Sequence, residues 1–359
     1  MRADPLYING QSIAPGTRTT LELPITRLYT HTPITMPVQI VRGNKAGPHL
    51  FVSAAIHGDE LNGVEIIRRV LRSAALKRLR GTLIAVPIVN VQGFLAHSRE
   101  LPDQRDLNRV FPGSEKGSLA ARLAYTFMEQ IVGNSTHGID LHTGARHRFN
   151  LPHIRANMHL PDTEAMAKAF GTPVVLNADI RDGSLRQAAT EAEIPTLLYE
   201  AGEALRFDEV SIRAGVRGVI NVMHYLGMLP PSSRKKKKHS RAEPVIAESS
   251  AWVRAPGSGI LRPLIGLGAR VRKGDVLGIV SDPFGSQERE IKSTYAGIVI
   301  GRTHLPMAYE GEALFHIARF ETVEDVAAQV EAFQATYQME ESHPGTATFN
   351  DEPEPSPNE

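Results

Sequence analysis

The chain contains no cysteine at all among its 359 residues. Disulfides and thiolate ligands are thereby excluded, and any metal must rest on His, Asp and Glu. No apolar run reaches the length needed to span a bilayer, and Met1-Arg2-Ala3-Asp4-Pro5-Leu6 has no apolar core of the kind signal peptides carry. The expected location is the cytoplasm, and no membrane partner is expected. Charge of one sign is also missing: the formal net charge is +1, which gives no general electrostatic reason to expect nucleic acid. The apolar share of 42% and charged share of 22% are ordinary for a globular protein. At this length more than one domain is expected.

What is present is organised. His49–Ile56 reads as a buried strand that delivers His57 at its carboxyl end. From Gly63 to Leu76, Val64, Ile66, Ile67, Val70, Leu71 and Leu76 recur at helical spacing. Gly81–Asn90 is a second strand, Ser118–Val132 a helix with Ser118 as N-cap, and Gly138–His142 a short strand. Pro173–Asn177 and Pro195–Glu200 are further buried runs, and Asp208–Met228 is mostly helical. Strands alternating with helices predict an α/β domain with a mixed, largely parallel sheet flanked by helices.

The composition then breaks. Pro230–Arg241 is a polar stretch with the basic run Arg234–Lys238, read as a solvated connector rather than an anion-docking site. Beyond it, Ala255–Leu261 and Ser293–Val299 echo each other across a Gly-punctuated β segment. This resembles the biotinyl/lipoyl-type barrel-sandwich hybrid. It lacks the Met-Lys-Met-like hairpin of true carriers, so Lys292 is not expected to carry biotin or lipoate. The expected divisions are a β segment over residues 1–44, a catalytic domain over 45–230, a linker over 231–248, the small all-β barrel over 249–320, one helix over 321–339 and an acidic, Pro-rich, disordered tail over 340–359.

The chemistry concentrates in His57-Gly58-Asp59-Glu60 and the distant Asp140-Leu141-His142. Two imidazoles and one carboxylate leave the fourth corner of a zinc tetrahedron open, which a catalytic site needs and a structural one lacks. His-x-x-Glu alone is common by chance; here it follows a buried strand. Ordered blocks accompany it: Asn90-Val91-Gln92-Gly93-Phe94, Arg99, Arg105-Asp106-Leu107-Asn108-Arg109-Val110-Phe111-Pro112-Gly113, Asp140–Gly144 and Leu198-Tyr199-Glu200-Ala201-Gly202.

With these blocks, residues 45–230 resemble the succinylglutamate desuccinylase/aspartoacylase family, a branch of the zinc carboxypeptidase-like hydrolases. The resemblance implies one Zn²⁺ per chain held by His57, Glu60 and His142, with Glu200 as general base and acid. It implies that Asn108 and Arg109 grip a substrate carboxylate. Arg99 or Arg105 would steady the oxyanion. Asp140 stands two residues before His142, on the same face of a strand, and is expected either to orient a ligand imidazole or to be a plain structural Asp. His147, His153, His159, His304 and His316 have no ligand spacing and read as ordinary histidines. Tyr309 and Glu310 are expected on a loop over the cleft.

The expected activity is deacylation of a small N-acyl amino acid. The alternatives are a metallocarboxypeptidase using the same residues and a catalytically silent binding module. Homo-oligomer formation is left open by the sequence.

Overall fold

A computed structural model describes residues 5–178, 182–231, 244–320 and 324–342. One large mixed sheet dominates. At its centre four strands run parallel, in the order Arg80–Val86, Lys45–Ala54, His137–Gly144, Thr196–Glu203. Parallel pairing recurs from Arg148–Ala156 through Val174–Asn177 to Val245–Ala247. Every other pairing in this sheet, among the described residues, is antiparallel. The sheet is thus largely parallel only at its centre. The flanking strands Arg18–Arg27 and Pro33–Arg42 are joined by a short turn, which permits only antiparallel neighbours.

The central strands are apolar on both faces because helices cover both. The alternation is visible residue by residue. Leu50, Val52 and Ala54 pack into one core with Ile66, Ile67 and Val70 of the helix Asn62–Leu71 and with Val216 and Val219 of Glu209–Tyr225. Phe51 packs into the opposite core with Leu123, Ala124 and Phe127 of Leu119–Gln130 and with Leu23, Met36 and Val38. Ser118 caps that helix, its Oγ accepting from Ala121 N.

The last segment does not stand apart from the rest. Gly297–Thr303 pairs with Arg148–Ala156, Ala313–Arg319 and Ser249–Arg254 follow outward, and the short Arg270–Val271 also pairs with Gly297–Thr303, so four described strands beyond residue 248 join the large sheet. A separate four-stranded sheet forms from Gly259–Pro263, Val276–Ser281, Glu288–Lys292 and Met307–Ala308. Within the expected linker, Val245–Ala247 is a strand, held by backbone bonds that composition does not reveal. The run Arg234–Arg241 and the tail beyond Ser342 lie outside the described residues. The terminal helix is Glu324–Ser342 and packs against Glu209–Tyr225, with the Arg217 guanidinium 4.8 Å from the Tyr337 ring centroid.

Candidate active site

Two adjacent carboxyl ends in the parallel sheet build the site. His142 and Glu200 stand directly opposite each other in neighbouring parallel strands, so one face receives both. Their neighbours Leu141 and Tyr199 point the other way, into the first core. His57 and Glu60 lie in the loop between Lys45–Ala54 and the helix Asn62–Leu71. That loop is locked from below: a Cβ on Gly58 would fall 2.0 Å from the backbone carbon of Gly93, so two of the sequence blocks are in backbone contact. Gly202, at φ +77°, occupies the bulge where the register of the Glu200 strand shifts on both sides.

The spacing of His57, Glu60 and His142 in sequence becomes convergence in space: one ligand atom from each lies within 4.8 Å of the others. His57 Nδ1 is 2.7 Å from Glu60 Oε1, and His142 Nδ1 is 2.8 Å from Glu60 Oε2. The remaining ring nitrogens are committed elsewhere. His57 Nε2 lies 3.0 Å from Asp106 Oδ1, and His142 Nε2 lies 2.6 Å from Asp140 Oδ2. A carboxylate accepts only, so neutral rings donate from Nε2 and turn their Nδ1 lone pairs toward Glu60. In that protonation state three acceptors face one another, an arrangement a cation would satisfy, and it fits the pattern of metal-ligating histidines backed by carboxylates. The donor set fits a divalent ion of the zinc type.

The protonation tendencies express the same need for positive charge. Burial alone would lower His57 and His142, but Glu60 and Asp106 raise the first, and Asp140 and Glu60 raise the second well above the usual imidazole range. Burial opposes ionisation of Glu60 and is outweighed by the two histidines, so its carboxyl is held far below the ordinary range. Asp106 behaves likewise: burial works against the charged form, and His57 and Arg99 overcome it. Glu200 differs. Burial raises its carboxyl, only partly offset by His142 and Arg155, and Asn150 Nδ2 donates to its Oε2 at 2.9 Å.

The expected residues divide. Asp140 does more than share a face with His142: Ser53 Oγ donates to its second oxygen at 2.8 Å, which fixes the carboxylate that fixes the ring. Arg99 donates to Asp106 Oδ2 at 2.9 Å and to Glu60 Oε1 at 3.2 Å, and lines the cleft. Arg105 does not enter: its side chain is 58% exposed, lies 3.7 Å from Asp103, and is not part of the cleft lining. Asn108 Oδ1 accepts from Leu185 N at 2.9 Å, so its NH₂ is the group left to donate, and Arg109 lines the cleft beside it. Tyr309 is 80% exposed and away from the lining.

The cleft encloses about 340 Å³. Its wall contains residues the sequence did not single out: Arg148, Asn150, Arg155, Ser184, Arg186, Ser250 and Trp252. His153 and His316, read as ordinary, line it too. A larger hollow of about 1250 Å³ lies beyond the opposite strand ends, among Arg18, Arg42, Lys45, Arg72 and Arg80. It holds none of these groups. Of its cations, Arg18 donates to the Leu71 carbonyl at the carboxyl end of the helix Asn62–Leu71, and Arg42 donates to the Ile13 carbonyl.

The chain is similar to known proteins in sequence and in fold. Residues 46–226 match the model of the succinylglutamate desuccinylase/aspartoacylase catalytic domain. The N-alpha-acetyl-L-2,4-diaminobutyric acid deacetylase of Halomonas elongata is 27% identical over 262 residues, covering 69% of this chain and 75% of that protein. Among solved structures, the product-bound ectoine utilization protein EutE (DoeB) from Ruegeria pomeroyi superposes with a TM-score of 0.77 at 24% identity, covering 88% of this chain and 99% of that one. A succinylglutamate desuccinylase/aspartoacylase from Rhodobacter sphaeroides gives 0.75 at 24% identity, covering 85% and 95%. With half of its length matched by that catalytic domain, and the matched half carrying the convergent His57, Glu60 and His142, the chain belongs to the succinylglutamate desuccinylase/aspartoacylase family.

Proposed function

We propose that this chain is a zinc-dependent amidohydrolase that removes the acyl group from a small N-acylated amino acid. The observation that carries the reading is the convergence of three acceptor groups, each imidazole backed by its own carboxylate, directly beside Glu200. The deacetylase activity named for the Halomonas elongata relative supports the amide as the bond cleaved. The cleft, about 340 Å³, suits one small acyl amino acid.

His57, Glu60 and His142 would hold the ion, which supplies Lewis acidity that acidifies water and polarises a carbonyl. Glu200 takes the proton of the attacking water and returns it to the departing amine; its raised carboxyl suits a group that must hold that proton between the two steps. Asn150 holds the Glu200 carboxylate in one orientation through its Oε2. Arg99, fixed by Asp106 and Glu60, presents positive charge to the oxygen on which negative charge develops. The Asn108 NH₂ and the Arg109 guanidinium grip the substrate carboxylate and so fix the amide relative to Glu200. The C-terminal β segment, a barrel-sandwich-like module, closes the cleft through Ser250, Trp252 and His316.

The test is to assay zinc-loaded protein with N-acetyl amino acids and with short peptides. Deacylation without peptide cleavage is expected. Peptide cleavage without deacylation would reject the reading in favour of a carboxypeptidase. No turnover of either, with metal bound, would leave only a silent module.

A further inference from the structure

His153 faces Glu200 across the antiparallel pairing of Arg148–Ala156 with Thr196–Glu203, lines the cleft, and is 1% exposed. Its Nδ1 lies 2.7 Å from the Leu151 carbonyl oxygen. A carbonyl has no proton to give, so Nδ1 carries the hydrogen and Nε2 carries a lone pair. Nε2 has no hydrogen-bond partner among the described residues. Burial, with help from Arg155, lowers the ring to about 4, so it stays neutral and an acceptor at ordinary pH. A buried acceptor with nothing to accept from is a standing cost that a ligand's donor would relieve.

Another part of the cleft wall is stiff. Trp252 stacks on His316 with ring centroids 4.6 Å apart and planes 6° from parallel. The Arg148 guanidinium sits 5.1 Å from the Trp252 centroid, and His316 Nε2 is 2.8 Å from Ser250 Oγ. The nearby arginines have other work: Arg148 lies over Trp252, Arg186 donates to the Ala178 carbonyl at 2.9 Å, and Arg155 faces Glu200 electrostatically.

We propose that His153 Nε2 is the recognition point of a side-chain subsite, in the cleft that the Trp252–His316 stack also lines, for substrates whose compact side chain ends in an N–H or O–H donor. The proposal rests on the N-acyl amino acid reading and narrows it. A side-chain carboxylate would set its lone pairs against that of Nε2, and an apolar side chain would leave Nε2 unpaired. A site built around such a contact rejects analogues that lack the donor far more strongly than a hydrophobic pocket rejects a missing methylene.

The experiment compares kcat/KM of the zinc-loaded protein for four N-acetyl amino acids. The 2,4-diaminobutyrate and homoserine derivatives carry donors, 2-aminobutyrate is apolar and aspartate is anionic. The donor substrates are expected to exceed N-acetyl-2-aminobutyrate by about tenfold or more, mainly through KM. His153→Phe, which keeps a ring and removes the lone pair, brings that ratio close to one. His153→Gln, whose Oε1 can accept, restores part of it. A wild-type preference for the aspartate or 2-aminobutyrate derivative overturns the proposal, as does an unchanged ratio in His153→Phe. Calorimetry of free 2,4-diaminobutyrate and 2-aminobutyrate with the wild-type protein reads the same contact without turnover or a foldable variant; equal affinities overturn it. If no N-acetyl amino acid is hydrolysed but the donor amino acid still binds tighter, the proposed activity falls and the subsite stands.

Discussion

Replacing Asp140 isolates what a carboxylate behind the proposed metal ligand His142 contributes. Its Oδ2 accepts from His142 Nε2 at 2.6 Å, and its Oδ1 is held by Ser53 Oγ at 2.8 Å. The side chain is buried, so solvent does not replace it when it is removed. A charge-assisted hydrogen bond of this type contributes about 1.5–3 kcal/mol, which corresponds to roughly 10- to 150-fold. Loss of such a backing group from metal-binding histidines elsewhere lowers metal affinity about 10- to 100-fold. The two estimates overlap, and Asp140→Ala is expected to weaken zinc binding within that shared range. Asp140→Asn keeps an oxygen for Nε2 but loses the charge, and should fall between Ala and wild type. The assay is competition with a chromophoric chelator, with thermal unfolding of the zinc-free proteins as the control for folding. Zinc affinity in Asp140→Ala within about twofold of wild type, in a folded protein, would refute the reasoning. His142 would then not be the ligand that Asp140 orients.

Three further outcomes follow from the same geometry. Glu200→Gln preserves shape and the contact with Asn150 but removes the proton acceptor; kcat is expected to fall about 10²- to 10⁴-fold with zinc content unchanged, and unaltered turnover would exclude Glu200 as the base. Gly58→Ala puts a Cβ 2.0 Å from the Gly93 carbonyl carbon and 2.2 Å from Phe94 N, both backbone atoms that cannot step aside. A loss of roughly 2–4 kcal/mol is expected by denaturant unfolding, along with weaker zinc binding, because His57 adjoins Gly58. Away from the site, Glu65 is held below its ordinary range by Arg68 first and also by Arg69, and Glu209 by Arg69 first and also by Arg213. Carboxyls depressed in the folded state stabilise it above their unfolded pKa, about 4.3, and that stability is lost as pH falls through the folded values. Unfolding free energy measured from pH 6 downward should therefore fall more steeply below about pH 4.3 in wild type than in Arg69→Met, and parallel curves would show that the network contributes nothing.

Much of the site was legible because its chemistry is local. His57 and Glu60 share one loop and Asp140 and His142 one strand face, so spacing indicates what each pair can do, whereas the role of Asn108 and Arg109, in one turn, came from the family resemblance. Buried strands and amphipathic helices were legible for the same reason, since a two-residue or 3.6-residue period is a property of consecutive side chains. Arg105 illustrates the limit. It is as close to the Asp-Leu-Asn-Arg block as a residue can be, yet the turn sends it to solvent beside Asp103, while Arg99 reaches back to Asp106 and Glu60.

The sequence by itself indicated the α/β character, through periodicity written at short range, and offered His57, Glu60 and His142 as candidate ligands and, through the family resemblance, Glu200 as candidate base. Only the tertiary structure decided who surrounds them. Asp106 falls behind His57 across 49 positions, Asn150 reaches Glu200 across 50, and Thr303 in the last segment donates to the His147 carbonyl across 156. Those neighbours follow from strand order, register and the path of the loops in a sheet whose last strands line the cleft. Register is a collective outcome of packing both faces, and no short window of residues contains it.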